Sequence, residues 1–248
     1  MPYNPPVTQP FLSLIIPAYN EASRLPATLE QVNAFLQEQS YSWEVLVVEN
    51  GSTDRTHALA EAFAKAHSGF RVLRSAKGKG AAVRTGMLAT EGEWRMMLDA
   101  DLSMPVSEIN RFFPPKLDGA DIAIASREAP GAKRHNEPQY RHFGGRLMNW
   151  LIRVLALPDL QDTQCGFKSF SARAAEALFS RQQLDSWSFD VEVLYIAQQF
   201  GYRIAELPID WYYYEFSHVQ PLKDSWNMFW DLLKIRRKAA RGEYAAAH

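Results

Sequence analysis

The chain has 248 residues, enough for one large domain with a substantial core. A net charge of −1, with 47% hydrophobic and 22% charged residues, is ordinary for a globular protein and argues against a generic nucleic-acid binder. The single cysteine, Cys165, excludes an internal disulfide, and the six scattered histidines lack metal-ligand spacing, a usage that suits the cytosol.

Residues 1–11 are proline-rich and lack the charged start and apolar core of a signal peptide, so they are expected to form a tail. No apolar run approaches the ~18–20 residues needed to span a bilayer. The longest, residues 147–157, is broken by Asn149 and Arg153. Residues 12–17 form an apolar run that predicts a buried strand, delivering polar groups at Tyr19, Asn20 and Glu21 to a loop. Leu25, Leu29, Val32 and Leu36 predict a helix over 25–37, with Pro26 tolerated in its first turn. Residues 43–49 read as a second buried strand, followed by a helix through Ala58 and Ala62 that Thr53 or Asp54 is placed to cap. A third strand at 70–73 leads into Lys77-Gly78-Lys79-Gly80, which opens a helix running to about Ala89.

Residues 94–98 form another short apolar run without Gly or Pro, and it ends in two carboxylates, Asp99 and Asp101, separated by Ala100. On extended backbone such residues share a face, about 6–7 Å apart. Like charges so placed repel unless a cation sits between or beside them. Mg²⁺ or Mn²⁺ accepts one or two carboxylates and fills its other positions with water and phosphate oxygens, so this is a seat for a metal-bound diphosphate. The plainer alternative is a polar turn closing a strand. A helix is predicted at 106–113 and a strand at 122–126. Strands alternating with helices at this spacing imply an α/β fold with a mostly parallel central sheet flanked by helices. Such sheets bind ligands outside the carboxyl ends of their strands, where Glu21, Glu49, Asn50, Lys79, Asp99 and Asp101 all fall.

After Arg127 the pattern changes. Residues 128–140, rich in Pro, Gly and charge, read as a mobile loop. Residues 144–155 predict an amphipathic helix, 172–179 and 190–200 two more, and 204–208 and 210–214 extended segments. A last helix over about 222–241 carries Trp226, Phe229 and Trp230 ahead of Lys234, Arg236, Arg237, Lys238 and Arg241. Aromatics followed by basic residues suit an interfacial element drawn to anionic lipids, and equally core packing with a solvated basic end. The chain thus divides into a tail at 1–11, a main α/β domain at 12–221, and a basic amphipathic helix with its tail at 222–248.

Pro17-Ala18-Tyr19-Asn20-Glu21, Glu49-Asn50-Gly51-Ser52-Thr53-Asp54, Gly78-Lys79-Gly80 with Arg84, and Asp99-Ala100-Asp101 stand in the order and spacing of family 2 glycosyltransferases. The chain resembles the branch of that family containing dolichyl-phosphate glucosyltransferase and dolichyl-phosphate mannose synthase. Ser126-Arg127, Tyr140-Arg141, the run from Asp162 to Lys168, Phe189-Asp190-Val191-Glu192 and Glu206-Leu207-Pro208 carry that resemblance, which spans about residues 11–225.

The resemblance implies the GT-A fold and a nucleotide-sugar donor, with Pro17, Tyr19, Glu21, Glu49 and Asn50 at the nucleotide. It also implies Asp99, Ala100, Asp101 and Lys79 at a metal-bound diphosphate. The activity implied is metal-dependent, inverting transfer of a hexose, glucose from UDP-glucose, to a polyprenyl or dolichyl phosphate. GDP-mannose as donor, or a catalytically silent nucleotide-sugar-binding protein, are the alternatives. Arg127, Arg141 and Lys168 are candidates to grip the acceptor phosphate, against a plainer reading of the arginines as surface ion pairs. Asp162 is the candidate base or orienting carboxylate, or else a loop cap, and Asp190 stands second. Trp211-Tyr212-Tyr213-Tyr214 is either a sugar or prenyl platform or a half-buried strand. A lipid acceptor implies a peripheral position on the cytoplasmic face of a membrane. Three positions depart from the family pattern: Asn50 replaces a carboxylate by an amide, Ser103 stands where glutamine is frequent, and His218 where lysine is. No transmembrane pair follows at the carboxyl end.

Overall fold

The computed structural model describes residues 9–117, 119–213 and 221–245, without the side chains of 139–145, 147 and 221–225. Five strands and three helices open the chain: β1 (Leu12–Ala18), α1 (Leu25–Gln37), β2 (Trp43–Glu49), α2 (Thr56–Ala66), β3 (Phe70–Arg74), α3 (Lys79–Ala89), β4 (Trp94–Leu98) and, after a 3₁₀ turn at Val106–Arg111, β5 (Ile122–Ser126). There follow β6 (Lys133–His135), α4 (Gln139–Leu155), β7 (Phe167–Ser171), α5 (Ala172–Phe179) and α6 (Phe189–Gln199). The last elements are β8 (Ile204–Pro208), β9 (Asp210–Tyr212) and α7 (Pro221–Ala240).

Successive residues of a strand point to opposite faces, so a strand covered on both sides is apolar throughout. Every residue of β1 is buried. Leu12, Leu14 and Ile16 join one apolar layer with Leu29, Val32 and Phe112, whereas Ile15 joins the other with Val83, Phe179 and Leu194. The strands form a seven-stranded sheet in the order β3-β2-β1-β4-β7-β5-β8. Pairing is parallel except at β7, which runs antiparallel to both neighbours, with Trp94 opposite Ser171 and Ile122 opposite Phe170. The predicted α/β class with a mostly parallel sheet is what forms. The reversed strand returns the chain to the centre of the sheet, bringing residues 162–166 to the end where β4 delivers Asp99.

Three local expectations are corrected. The predicted helix at 106–113 is a 3₁₀ turn: bounded by Pro105 and by Pro114, it closes i→i+3 bonds from the N–H of Glu108 to Pro105 O and of Phe112 to Ile109 O. The segment 128–140, predicted mobile, contains β6, which pairs in parallel with β9, Lys133 opposite Asp210. Arg134 ties it to Glu128 at 2.6 Å and to Glu137 at 2.7 Å. Helix α4 begins at Gln139, before the predicted 144, just past Pro138 in extended backbone. Helix α7 packs on α4 and α6, burying Met228, Leu232 and Ile235 in the same apolar layer as Ile152 and Val193.

Gly86 lets α3 lie close on β1, since a Cβ there would sit 2.4 Å from Ile15 Cγ2. Gly86→Ala is expected to overpack this crossing and lower stability by about 1–3 kcal/mol, measured by urea unfolding.

Candidate active site

The apolar run of β4 stops at Leu98, and the next three residues turn outward at the carboxyl end of the sheet. Ala100 is buried and its carbonyl accepts the Thr28 hydroxyl of α1 at 2.6 Å, fixing the tripeptide from below. Leu102 takes a left-handed φ of 47°, and the N–H of Ser103 donates to Asp101 Oδ1 at 2.9 Å. Asp99 and Asp101 are thus held side by side. Burial and the neighbouring Asp99 charge together push the Asp101 carboxyl above its ordinary pKa.

Lys79, the first residue of α3, reaches Asp99 Oδ1 at 2.6 Å. Burial works to lower its pKa, but the charges of Asp99 and Asp190 hold it raised. Gly166 makes room for the other oxygen: a Cβ there would fall 1.7 Å from Asp99 Oδ2. The carboxylate pair therefore sits in a cradle that a larger residue would fill. Two carboxylates beside one lysine fit a hard divalent ion that completes its sphere with water and phosphate. Among the described residues no group of three or more His, Cys, Asp or Glu offers a closed metal site.

The nucleotide candidates converge on the same end. Pro17 is buried within β1 and shapes its end. Asn20, at φ 54°, accepts the Thr53 N–H at 2.8 Å and joins the first loop to the second. Helix α2 starts beyond Arg55, and Asp54, expected as a cap, accepts the Thr56 N–H at 2.9 Å from one position outside. Glu21 grips Arg24 through both oxygens at 2.6 Å. Arg24 also feels the charges of Asp101 and Asp99. Burial lowers its pKa, while Glu21 and those two carboxylates raise it. Its charge and position make it a site residue that the sequence left unmarked. Glu49 is buried and accepts the Ser52 N–H; this contact holds its carboxyl below the usual range against the effect of burial. Asn50 is buried with its side-chain oxygen unpartnered, a polar atom suited to a ligand donor. Beside it lies an open cavity of about 490 Å³ lined by Glu49, Ser52, Asp54, His57 and Arg74. Lys77 stands 5.3 Å from the centre of the Tyr19 ring.

The acceptor candidates are less uniform. Arg127 grips Asp162 with two bonds, Nε at 2.6 Å and Nη2 at 2.9 Å, and its own N–H adds a third at 3.0 Å. Asp162 is fully buried; burial would raise its pKa, but the Arg127 guanidinium holds it at about 2. With three bonds from Arg127, the Asp162 carboxylate is committed to that pair, which speaks against the base half of the expectation. The orienting role fits the geometry, for Asp162 aims Arg127 at the Trp211 ring, 5.5 Å away. Lys168 is also corrected. It is only 1% exposed, and its ammonium donates to Cys165 O at 2.5 Å and to Asp190 Oδ1 at 2.7 Å, so it cannot reach a phosphate at the surface. Asp190 is raised by burial and lies between the charges of Lys168 and Lys79. Arg141 falls in the first turns of α4, its side chain outside the described ones, and His218 lies outside the described residues altogether. Trp187, unmarked beforehand, sits 4.9 Å from the Lys79 ammonium and rims the site.

Asp162→Asn leaves a guanidinium with half its partner and is expected to cost about 3–5 kcal/mol, measured by urea unfolding at pH 7. The native pair contributes stability fully above the unfolded pKa of about 4, lost as pH falls through about 2. In the variant that part of the acid dependence disappears.

The geometry can now be set beside known proteins. Residues 13–179 match the model of Glycosyl transferase family 2. The dolichyl-phosphate beta-glucosyltransferase of Homo sapiens is 32% identical over 249 residues, covering 94% of this chain and 77% of its own length. The protein of that name from Dictyostelium discoideum is 30% identical over 246 residues, at 93% and 75% coverage. Among solved structures, glucosyl-3-phosphoglycerate synthase from Mycobacterium tuberculosis in complex with UDP superposes with a TM-score of 0.63 at 19% identity, covering 91% of this chain and 78% of that one. The same enzyme with Mn²⁺, UDP-glucose and phosphoglyceric acid gives 0.62 at 17% identity, covering 96% and 81%. The structural likeness establishes the GT-A fold; the family match and the curated relatives establish that this chain belongs to glycosyl transferase family 2.

Proposed function

We propose that the chain transfers glucose from UDP-glucose to a polyprenyl phosphate of the dolichyl type, giving a β-linked glucosyl phosphate. The observation that carries this reading is the Asp99–Asp101 pair with Lys79 on Asp99 at the carboxyl end of the sheet. The names of the relatives support the sugar and the acceptor.

A phosphate oxygen of the acceptor attacks C1 of glucose while the bond from C1 to the diphosphate breaks, its electron pair leaving with UDP. One in-line displacement turns the α-linked donor into a β-linked product. A monoester phosphate has a second pKa near 6 and is largely dianionic at neutral pH, so no proton need be removed. That chemistry suits a site whose two candidate bases, Asp162 and Asp190, are both committed to buried ion pairs. Mg²⁺ or Mn²⁺, held by Asp99 and Asp101, would neutralise charge on the departing diphosphate. Lys79 contributes a fixed positive charge to the same end. Arg127, oriented by Asp162 and facing the Trp211 ring, is the guanidinium proposed to meet the acceptor phosphate.

A prenyl acceptor needs a membrane surface, and we place the chain peripherally on a cytoplasmic face. No helix among the described residues is long and apolar enough to cross a membrane. Helices α4 and α7, packed together, expose Trp150 (57%), Val154, Trp226 (64%), Trp230 and Leu233. Arg153, Lys234, Arg236 and Arg237 are exposed around them. Aromatics rimmed by cations suit an anionic lipid interface.

A panel of UDP- and GDP-sugars with Mg²⁺ or Mn²⁺ tests the reaction through nucleotide release. UDP release from UDP-glucose that requires a short polyprenyl phosphate is expected. Release from GDP-mannose instead selects the mannosyltransferase reading, and binding without release selects a silent sugar-nucleotide binder. Asp99→Ala is expected to lower kcat/KM on the order of 10²-fold or more. In sedimentation with anionic vesicles, Trp226→Ser with Trp230→Ser is expected to abolish pelleting; unchanged pelleting would remove these residues from the lipid contact.

A further inference from the structure

The connection between α5 and α6, residues 182–188, lies against the start of α3. The N–H of Gly80 donates to Asp185 O at 3.0 Å, and Gln182 Nε2 donates to Gly80 O at 2.9 Å. Arg84 pairs with Asp185 at 2.8 Å. Glycine at position 80 is required by this approach, for a Cβ there would stand 2.4 Å from Leu184 O. Trp187, 38% exposed, presents its ring to the Lys79 ammonium. The segment is the wall against which Lys79 rests.

That wall is held from behind by α6, α7 and the turn that follows α7. The N–H groups of Gln183 and Leu184 both donate to Glu192 Oε2, at 3.0 and 2.7 Å. Glu192 is fully buried, and its other oxygen accepts the Tyr244 hydroxyl at 2.8 Å. Ser186 donates to Asp231 Oδ2 at 3.0 Å, and Lys238 reaches the Gln183 side-chain oxygen. Glu192, Asp231 and Tyr244 are all buried, whereas Trp226, Trp230 and Leu233 of α7 are exposed. A buried carboxylate satisfied only through a segment and a chain end is costly unless every partner is kept. None of these contacts touches the reacting groups.

We propose that Tyr244 and Asp231 are positioning residues for Lys79: they fasten the 182–188 segment, and the segment keeps the Lys79 ammonium at the diphosphate seat. The inference rests on the reading of Asp99, Asp101 and Lys79 as that seat. Loss of the fastening lets the segment withdraw, and Lys79 loses its wall and its ring contact. The consequence falls on affinity for the nucleoside diphosphate rather than on the prenyl acceptor.

The test uses the full chain, with Tyr244→Phe and Asp231→Asn made singly and combined with Lys79→Met. The first measurement is the ¹³Cε resonance of Lys79, assigned by its disappearance in Lys79→Met. It is expected to move in both single variants, with no nucleotide present. The second is the calorimetric Kd for UDP with Mn²⁺, expected to weaken roughly fivefold in each single variant, about one hydrogen bond's worth. In the Lys79→Met background neither change is expected to weaken binding further, the signature of residues acting through one group. An unmoved Lys79 resonance, or equal weakening in both backgrounds, overturns the proposal. If the unaltered chain binds neither UDP nor GDP, the donor reading fails, and the Lys79 resonance alone decides whether the fastening exists.

Discussion

Two carboxylates delivered to one place by a buried strand are the constraint on which the rest of this site depends. Asp99 and Asp101 repel, and the burial of Asp101 increases the cost. The fold offsets it with cations that enter from helix starts: Lys79 from α3, and Arg24 from the residue preceding α1. Helix N-termini concentrate positive partial charge at the same end of the sheet. Under the proposed function, a divalent ion held by the two carboxylates would let this place receive a diphosphate.

A second set of charges lies deeper and does different work. Arg127–Asp162 and Lys168–Asp190 are buried or nearly so, with donor–acceptor distances of 2.6 and 2.7 Å. Desolvation consumes most of the Coulombic gain of such pairs, so little net stability follows from them. What they confer is position. The backbone N–H of Asp162 donates to Glu206 of β8, and Lys168 joins β7 to α6. The loop before β7 is thereby fixed at both ends, with Gly166 between them facing Asp99. The reversed strand in the middle of an otherwise parallel sheet brings these groups in from the opposite direction.

Much of the framework was legible in the chain. The apolar runs of β1, β2, β4 and β5 announce strands because both of their faces are covered. The 3.6-residue spacing of Leu25, Leu29, Val32 and Leu36 announces α1. The parallel order follows from helices placed between strands, and it puts Glu49, Asn50, Lys79, Asp99 and Asp101 on one rim before any contact is known. Motifs of this kind are local in sequence, so their geometry is set by a few neighbouring dihedral angles.

What a side chain meets across the sheet is not local, and there the tertiary structure decided. Lys168 and Asp162 are polar residues in a motif that resembles an acceptor site, yet both are buried, Lys168 paired with Asp190 and Asp162 with Arg127. The pairing of β6 with β9 joins residues 77 positions apart, Lys133 and Asp210, across a segment whose composition reads as loop. Arg24 and Trp187 became site residues only because α1 and the 182–188 segment pack where they do. The sequence alone determined which residues end the strands and therefore which polar groups gather at one rim of the sheet. The fold determined which charges remain open to a ligand, because desolvation and ion pairing depend on neighbours that arrive from distant parts of the chain.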